Sequence, residues 1–266
     1  MVDKLKNYLL EFGSLDKLPR EKLLYELDRV WDFYKINNRQ SLHSQKEKVN
    51  LFYSHPVWVL NGLFSEADSD SRIHRLAIAR YVNTLQACRI ADFGGGSGFL
   101  ARLISAGSVS QVDIVEAYPF EIFKKQLEGN KKIKYVSSLS NNYDVIIAQD
   151  VLEHVDEPLG LALDLISATK KGGILIFANC FYPQIKCHIP SNFYLRHTFI
   201  FLMTFAGLKL IHRIDGANHA LVFKKARKVR YATLYLMATF LQQVGGAINL
   251  IYIAGSRVKN FPYLKP

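Results

Sequence analysis

Cysteine is scarce. Only Cys88, Cys180 and Cys187 occur in 266 residues, an odd number with no Cys-x-x-Cys pair. That argues against a disulfide framework and a thiolate zinc site, and it suits a reduced intracellular setting. The stretch from Met1 to Lys6 lacks the apolar core of a signal peptide, so a cytoplasmic protein is expected. Acidic side chains are also short in number, 23 against 34 lysines and arginines, for a net charge of +11. A basic balance favours anionic partners: RNA, a membrane surface or a phosphorylated substrate. Apolar residues are plentiful at 49%, which excludes a disordered chain. The length suits one α/β domain with an elaboration.

The chain is organised around Cys88-Arg89-Ile90-Ala91-Asp92-Phe93-Gly94-Gly95-Gly96-Ser97-Gly98-Phe99-Leu100. It reads as a buried strand, a glycine turn and a helix with apolar residues at helical spacing. Such a turn lets a ligand approach bare backbone, and the helix aims its free N–H groups at it. The dinucleotide fingerprint G-x-G-x-x-G fails, because counting from Gly94 the third position is Phe99. The spacing present is Asp92-x-Gly94-x-Gly96-x-Gly98. It resembles the first motif of class I S-adenosylmethionine-dependent methyltransferases.

Two later signals strengthen the resemblance. Gln111 to Glu116 reads as a second strand ending in a carboxylate 24 positions after Asp92, suited to both hydroxyls of a ribose. A fourth strand, Tyr143 to Gln149, runs into Asp150-Val151-Leu152-Glu153-His154-Val155-Asp156-Glu157-Pro158. That string is similar to the segment found there in ubiquinone-biosynthesis-type methyltransferases. The family's fold would then be a Rossmann-like α/β architecture: a seven-stranded, mostly parallel sheet with helices on both faces. Expected divisions are a helical N-terminal cap (1–86), the cofactor-binding domain (87–225) and a helical C-terminal extension (226–266).

The resemblance implies S-adenosylmethionine as cofactor. Carried onto this chain, its binding set is Asp92, Gly94, Gly95, Gly96, Gly98, Glu116, Ala117, Ser138, Leu139, Gln149, Asp150 and Val151. Many relatives place an aspartate near 138, where this chain has Ser137, Ser138 and Leu139. His154 and His188 are the catalytic candidates. Tyr53, His55, Tyr182 and His188 are the acceptor-site candidates, with core packing open for Tyr53, His55 and Trp58. Asp150, Glu153 and His154 fall at i, i+3 and i+4 and would share a face of a helical turn. The family has been associated with a divalent cation there, but no metal is adopted.

Element boundaries follow from punctuation. Pro19 opens a helix through Tyr34, Pro56 breaks an aromatic-rich segment, and Ser65 or Asp68 caps a helix to Leu85. Helices are also expected over Tyr118–Leu127, from Pro158 to Lys170 and over Asn192–Ala206. Strands are expected at Ile133–Val136, Ile174–Asn179, Leu208–Ile214 and His219–Lys224. Beyond a basic cluster at 224–230, residues 231–256 carry no formal charge. That run admits two apolar helices hinged at Gly245-Gly246: packed on the protein or a second subunit, or seated on anionic lipid. A single spanning helix suits it less well, because Gln242, Gln243 and Asn249 interrupt it.

The expected activity is methyl transfer to an O, N or C nucleophile of a small-molecule acceptor, lipid-like or a secondary metabolite. An RNA methyltransferase would use the basic balance, but the aspartate–proline–proline–tyrosine type of tetrad is missing after the fourth strand. A non-catalytic cofactor-binding protein is the third reading.

Overall fold

The computed structural model describes residues 2–228 and 234–244. Its helices are α1 (Val2–Leu10), α2 (Arg20–Phe33), α3 (Lys46–Tyr53), α4 (Val57–Ala67), α5 (Ser69–Thr84), α6 (Phe99–Gly107), α7 (Glu121–Gln126), α8 (Pro158–Ala168) and α9 (Leu195–Phe205), and residues 234–244 are helical too. The strands are β1 (Arg89–Phe93), β2 (Gln111–Val115), β3 (Ile133–Val136), β4 (Tyr143–Gln149), β5 (Thr169–Ala178), β6 (Leu208–Ile214) and β7 (Ala217–Lys225). They form one sheet in the order β3-β2-β1-β4-β5-β7-β6. The first five run parallel, and β7 is antiparallel to both its neighbours. Strand order reverses between β1 and β4, which opens a crevice at the carboxyl edge.

Both faces of the sheet are covered, so its strands are nearly continuous apolar runs. Val145 and Ile147 point to the side of α5 and α6, while Ile146 and Ala148 point to the side of α8 and α9. α5 therefore belongs to the sheet's own layer through Ile78, Ala79 and Val82. Its start is capped by Asp68, whose side chain accepts from Ser71 N at 2.9 Å.

A third cluster holds the cap, α1 to α4, around Leu23, Leu27, Trp31, Phe52 and Leu60. Trp31 and Phe52 meet edge to face at 5.0 Å. Cys187 and Ile189, from the loop after β5, complete this cluster. Asp28 accepts from Lys186 N at 2.7 Å, and Asn38 donates to Lys186 O at 2.7 Å. The cap and the β5–α9 loop are thus one body over the sheet's edge.

Several boundaries differ from expectation. α7 starts at Glu121, three residues late, because Pro119 keeps Tyr118 out of helix and Glu116 takes the Tyr118 N–H. α8 stops at Ala168 and β5 begins at Thr169, ahead of the glycines. Lys225 Nζ donates to the carbonyls of Ile166, Ser167 and Thr169 and closes that helix end. α9 begins at Leu195, after a separate 3-10 turn at Pro190–Asn192. Asn192 is committed elsewhere, its Nδ2 donating to Val155 O at 2.8 Å. The expected hinge at Gly245-Gly246 lies outside the described residues.

Candidate active site

The glycine turn between β1 and α6 faces the crevice with bare backbone. Gly96 has φ +52°, and no atom lies within 4 Å of where a Cβ would stand. Its N–H donates to Glu116 Oε2 at 3.0 Å, and its carbonyl accepts from the Tyr135 hydroxyl at 2.8 Å. Glu116 Oε1 accepts from Tyr118 N at 3.0 Å. Gly94 N donates to Val115 O at 2.8 Å, tying the turn to the end of β2. Gly98 also has positive φ, +72°, but it is buried and begins α6 with Ile114 packed where a side chain would go. Gly98 supports the turn from below, while Gly94, Gly95 and Gly96 line the crevice.

Asp92 sits under the turn, 2% exposed, and its Oδ2 has no partner among the described residues. Burial lifts its pKa to about 7; Arg75 opposes the rise and Glu116 adds to it. Ala117, Ser138, Leu139, Gln149, Asp150 and Val151 line the same crevice. Asp150 takes φ +54° and donates its N–H to Ala178 O at 2.7 Å. The 3-10 turn covers Leu152–His154 only. Asp150 is outside it, so the expected shared helical face of Asp150, Glu153 and His154 does not form.

Glu153 turns inward and is fully buried. Its Oε1 accepts from Cys180 N at 2.7 Å, and its Oε2 has no partner among the described residues. Burial, with the negative charge of Asp150 behind it, raises its pKa. Donor atoms of Glu153, His154 and His188 lie within 4.8 Å of one another.

The two imidazoles meet edge to face at 4.8 Å. His154 Nδ1 lies 3.2 Å from Cys187 O, and His188 Nδ1 lies 2.7 Å from Tyr182 O. A carbonyl only accepts, so each Nδ1 carries the hydrogen and each Nε2 keeps its lone pair. Burial lowers both pKa values, that of His154 to about 3 with His188 contributing. Both rings are neutral at pH 7.

An aromatic wall stands beside them. Tyr53 stacks on Trp58 at 5.0 Å and on Tyr118 at 5.3 Å, and Trp58 meets His154 edge-on at 6.3 Å. Tyr53 Oη, Trp58 Nε1 and Asn179 Oδ1 have no partners among the described residues. Tyr182 lines the crevice beneath the Arg196 guanidinium, 4.5 Å from its ring. His55 does not reach the site. Its Nδ1 accepts from Val57 N at 3.1 Å at the start of α4, and its ring packs on Tyr8 and Tyr34. That correction is local: Pro56 turns the chain there, and His55 caps the helix that follows.

Sequence reasoning passed over Tyr135 and Tyr118. Alternation along β3 marks Tyr135 only as facing the same side as Ile133, and nothing local signals its reach to Gly96. Tyr118 follows the Glu116 carboxylate by two positions, which is a usable signal. Its hydroxyl donates to Asn50 of α3 at 2.6 Å and so joins the cap to the β2 edge.

Residues 63–212 match the family described as "Methyltransferase domain". A ubiquinone biosynthesis O-methyltransferase of Rickettsia conorii is 24% identical over 181 residues, 63% of this chain and 61% of that protein. A tRNA U34 carboxymethyltransferase of Dichelobacter nodosus is 24% identical over 198 residues, 67% of this chain and 63% of that one. The chain therefore spans about three fifths of the length of these curated relatives. Among solved structures, an O-methyltransferase family protein from Burkholderia thailandensis shares the fold, with a TM-score of 0.51 at 12% identity over 79% of this chain and 70% of that one. The chain belongs to the methyltransferase-domain family, among the class I S-adenosylmethionine-dependent methyltransferases.

Proposed function

We infer that this protein transfers a methyl group from S-adenosylmethionine to a small-molecule acceptor bound beneath the cap. The residues present fit that cofactor: Asp92 keeps a buried, unpartnered oxygen, Gly96 leaves open space, and Glu116 is held beside it. Asp92 and the backbone of 94–96 would hold its amino-acid end. Glu116 would take the ribose hydroxyls. Ala117, Ser138, Leu139, Gln149, Asp150 and Val151 form the remaining wall.

When bound, the cofactor supplies the electrophilic sulfonium methyl. The chain aligns the acceptor and excludes water, which is most of what such a displacement needs. The Tyr53–Trp58–Tyr118 wall positions a flat or greasy body. His188 or His154 takes the proton of an attacking hydroxyl at Nε2, the nitrogen left with a lone pair. A small acceptor suits the site because the imidazoles lie deep between the cap and the sheet.

The Glu116–Gly96 bond carries the reading, since it sets a carboxylate against an open glycine turn. Incubation with cofactor labelled on the methyl group tests it. Label in low-molecular-weight extract supports it, and label only in RNA replaces it.

A further inference from the structure

We propose that the helix at 234–244 seats this protein on an anionic lipid surface. The helix lies outside the family-matched residues and plays no part in the cofactor reading. One side, with Leu234, Met237, Ala238 and Leu241, packs into the cluster beneath α8 and α9. Its other side stands in water: Tyr235, Leu236, Phe240 and Val244 are 53, 72, 58 and 37% exposed, beside the exposed, uncharged Thr239, Gln242 and Gln243. α9 packs into the same cluster and leaves Phe201 65% exposed. Four large apolar side chains left in water on one short helix, with Phe201 exposed on α9, call for a second cover.

Charge selects the cover. Residues 207–230 hold seven lysines and arginines against a single carboxylate, Asp215. Lys224, Arg227 and Lys228 are exposed, and no salt bridge engages them among the described residues. Lys225 is excluded from this role because its ammonium is spent on carbonyls at the end of α8. The helix itself carries no charge. Cations ahead of a neutral apolar face match anionic headgroups over an acyl boundary. RNA would match cations interleaved with stacking rings, whereas the exposed rings Tyr235 and Phe240 sit on a helix with no charge between them, beside the ringless Leu236 and Val244. A two-fold pairing of copies through this face would set like charges together. Among the described residues no helix is long and apolar enough to cross a bilayer.

Co-sedimentation of the full chain with vesicles tests this. Binding is expected with mixed phosphatidylglycerol and phosphatidylcholine, and not with phosphatidylcholine alone; it should weaken as salt rises. Leu236→Ser with Phe240→Ser, both exposed, should cut binding more than tenfold with the melting temperature unchanged. Lys224→Gln, Arg227→Gln and Lys228→Gln should each cost about fivefold. Equal binding by these variants overturns the proposal. So does a dimer or a tRNA complex that the Leu236→Ser/Phe240→Ser pair abolishes while vesicle binding stays negligible.

Discussion

Glu116 accepts a hydrogen bond from the Gly96 amide at 3.0 Å, so the carboxylate beyond β2 is locked to the turn beyond β1. The parallel pairing of Phe93 with Val115 makes this possible by ending both strands at one level. In the proposed binding mode, removal of the carboxylate would cost charge-assisted hydrogen bonds to the ribose as well as the brace on the turn. Glu116→Ala is expected to weaken cofactor binding by about 10- to 100-fold. Glu116→Gln keeps an acceptor for Gly96 and should lose less. Titration calorimetry on both variants ranks them.

Asp92 makes the apo protein sensitive to pH. Its folded pKa, about 7, lies above the ordinary carboxylate range because burial disfavours the charge. The resulting stability is whole at acid pH and is lost as pH climbs through about 7. Asp92→Asn has no charge to bury, so it should melt above the wild type at pH 8 and beside it at pH 4. The gap at pH 8 should be on the order of 2–4 kcal/mol. Wild-type affinity for the cationic cofactor should rise between pH 6 and 8 as Asp92 ionises. A flat profile would remove Asp92 from contact with it.

The imidazole pair predicts an unusual acid limb. A histidine base of ordinary pKa loses activity below about pH 6.5. Burial lowers both His154 and His188, so turnover should hold well below that point. His188→Ala should reduce turnover by about 10²–10⁴-fold and leave cofactor affinity alone. The proposed mechanism sends the proton to an imidazole, so chelators should not change the rate. Activity lost to a chelator and restored by a divalent cation would instead assign Glu153, His154 and His188 to a metal.

Lys225 bears on stability alone. Its ammonium caps α8 through the carbonyls of Ile166 and Thr169, both at 2.6 Å. Lys225→Met leaves these half-buried acceptors short of a donor, at about 1–2 kcal/mol. Thermal melting should fall by roughly 2–8 °C for a domain of this size. Unchanged melting would mean that water replaces the ammonium without loss.

Local pattern carried the strands, the glycine turn and Glu116, because each rests on a short run with its own period or spacing. Boundaries slipped where a distant group decided them. Lys225, more than 50 residues on, ends α8, and the Val155 carbonyl holds Asn192 out of α9. The same applies to the site. His154 was legible from its motif, but its pairing with His188 depends on the β5–α9 loop folding into the cap. His55 looked equally placed among aromatics, but it sits in the three-residue turn between α3 and α4 and accepts from Val57 N instead.

The open space at Gly96 offers the most direct measurement. A methyl group there meets no protein atom, so Gly96→Ala costs the fold only the strain of a positive φ, about 1 kcal/mol. Calorimetry of S-adenosylhomocysteine against the wild type and this variant should show binding by the first and at least a tenfold loss in the second, with both proteins folded. Equal binding by the two, or none by a folded wild type, would contradict a cofactor lying over that turn.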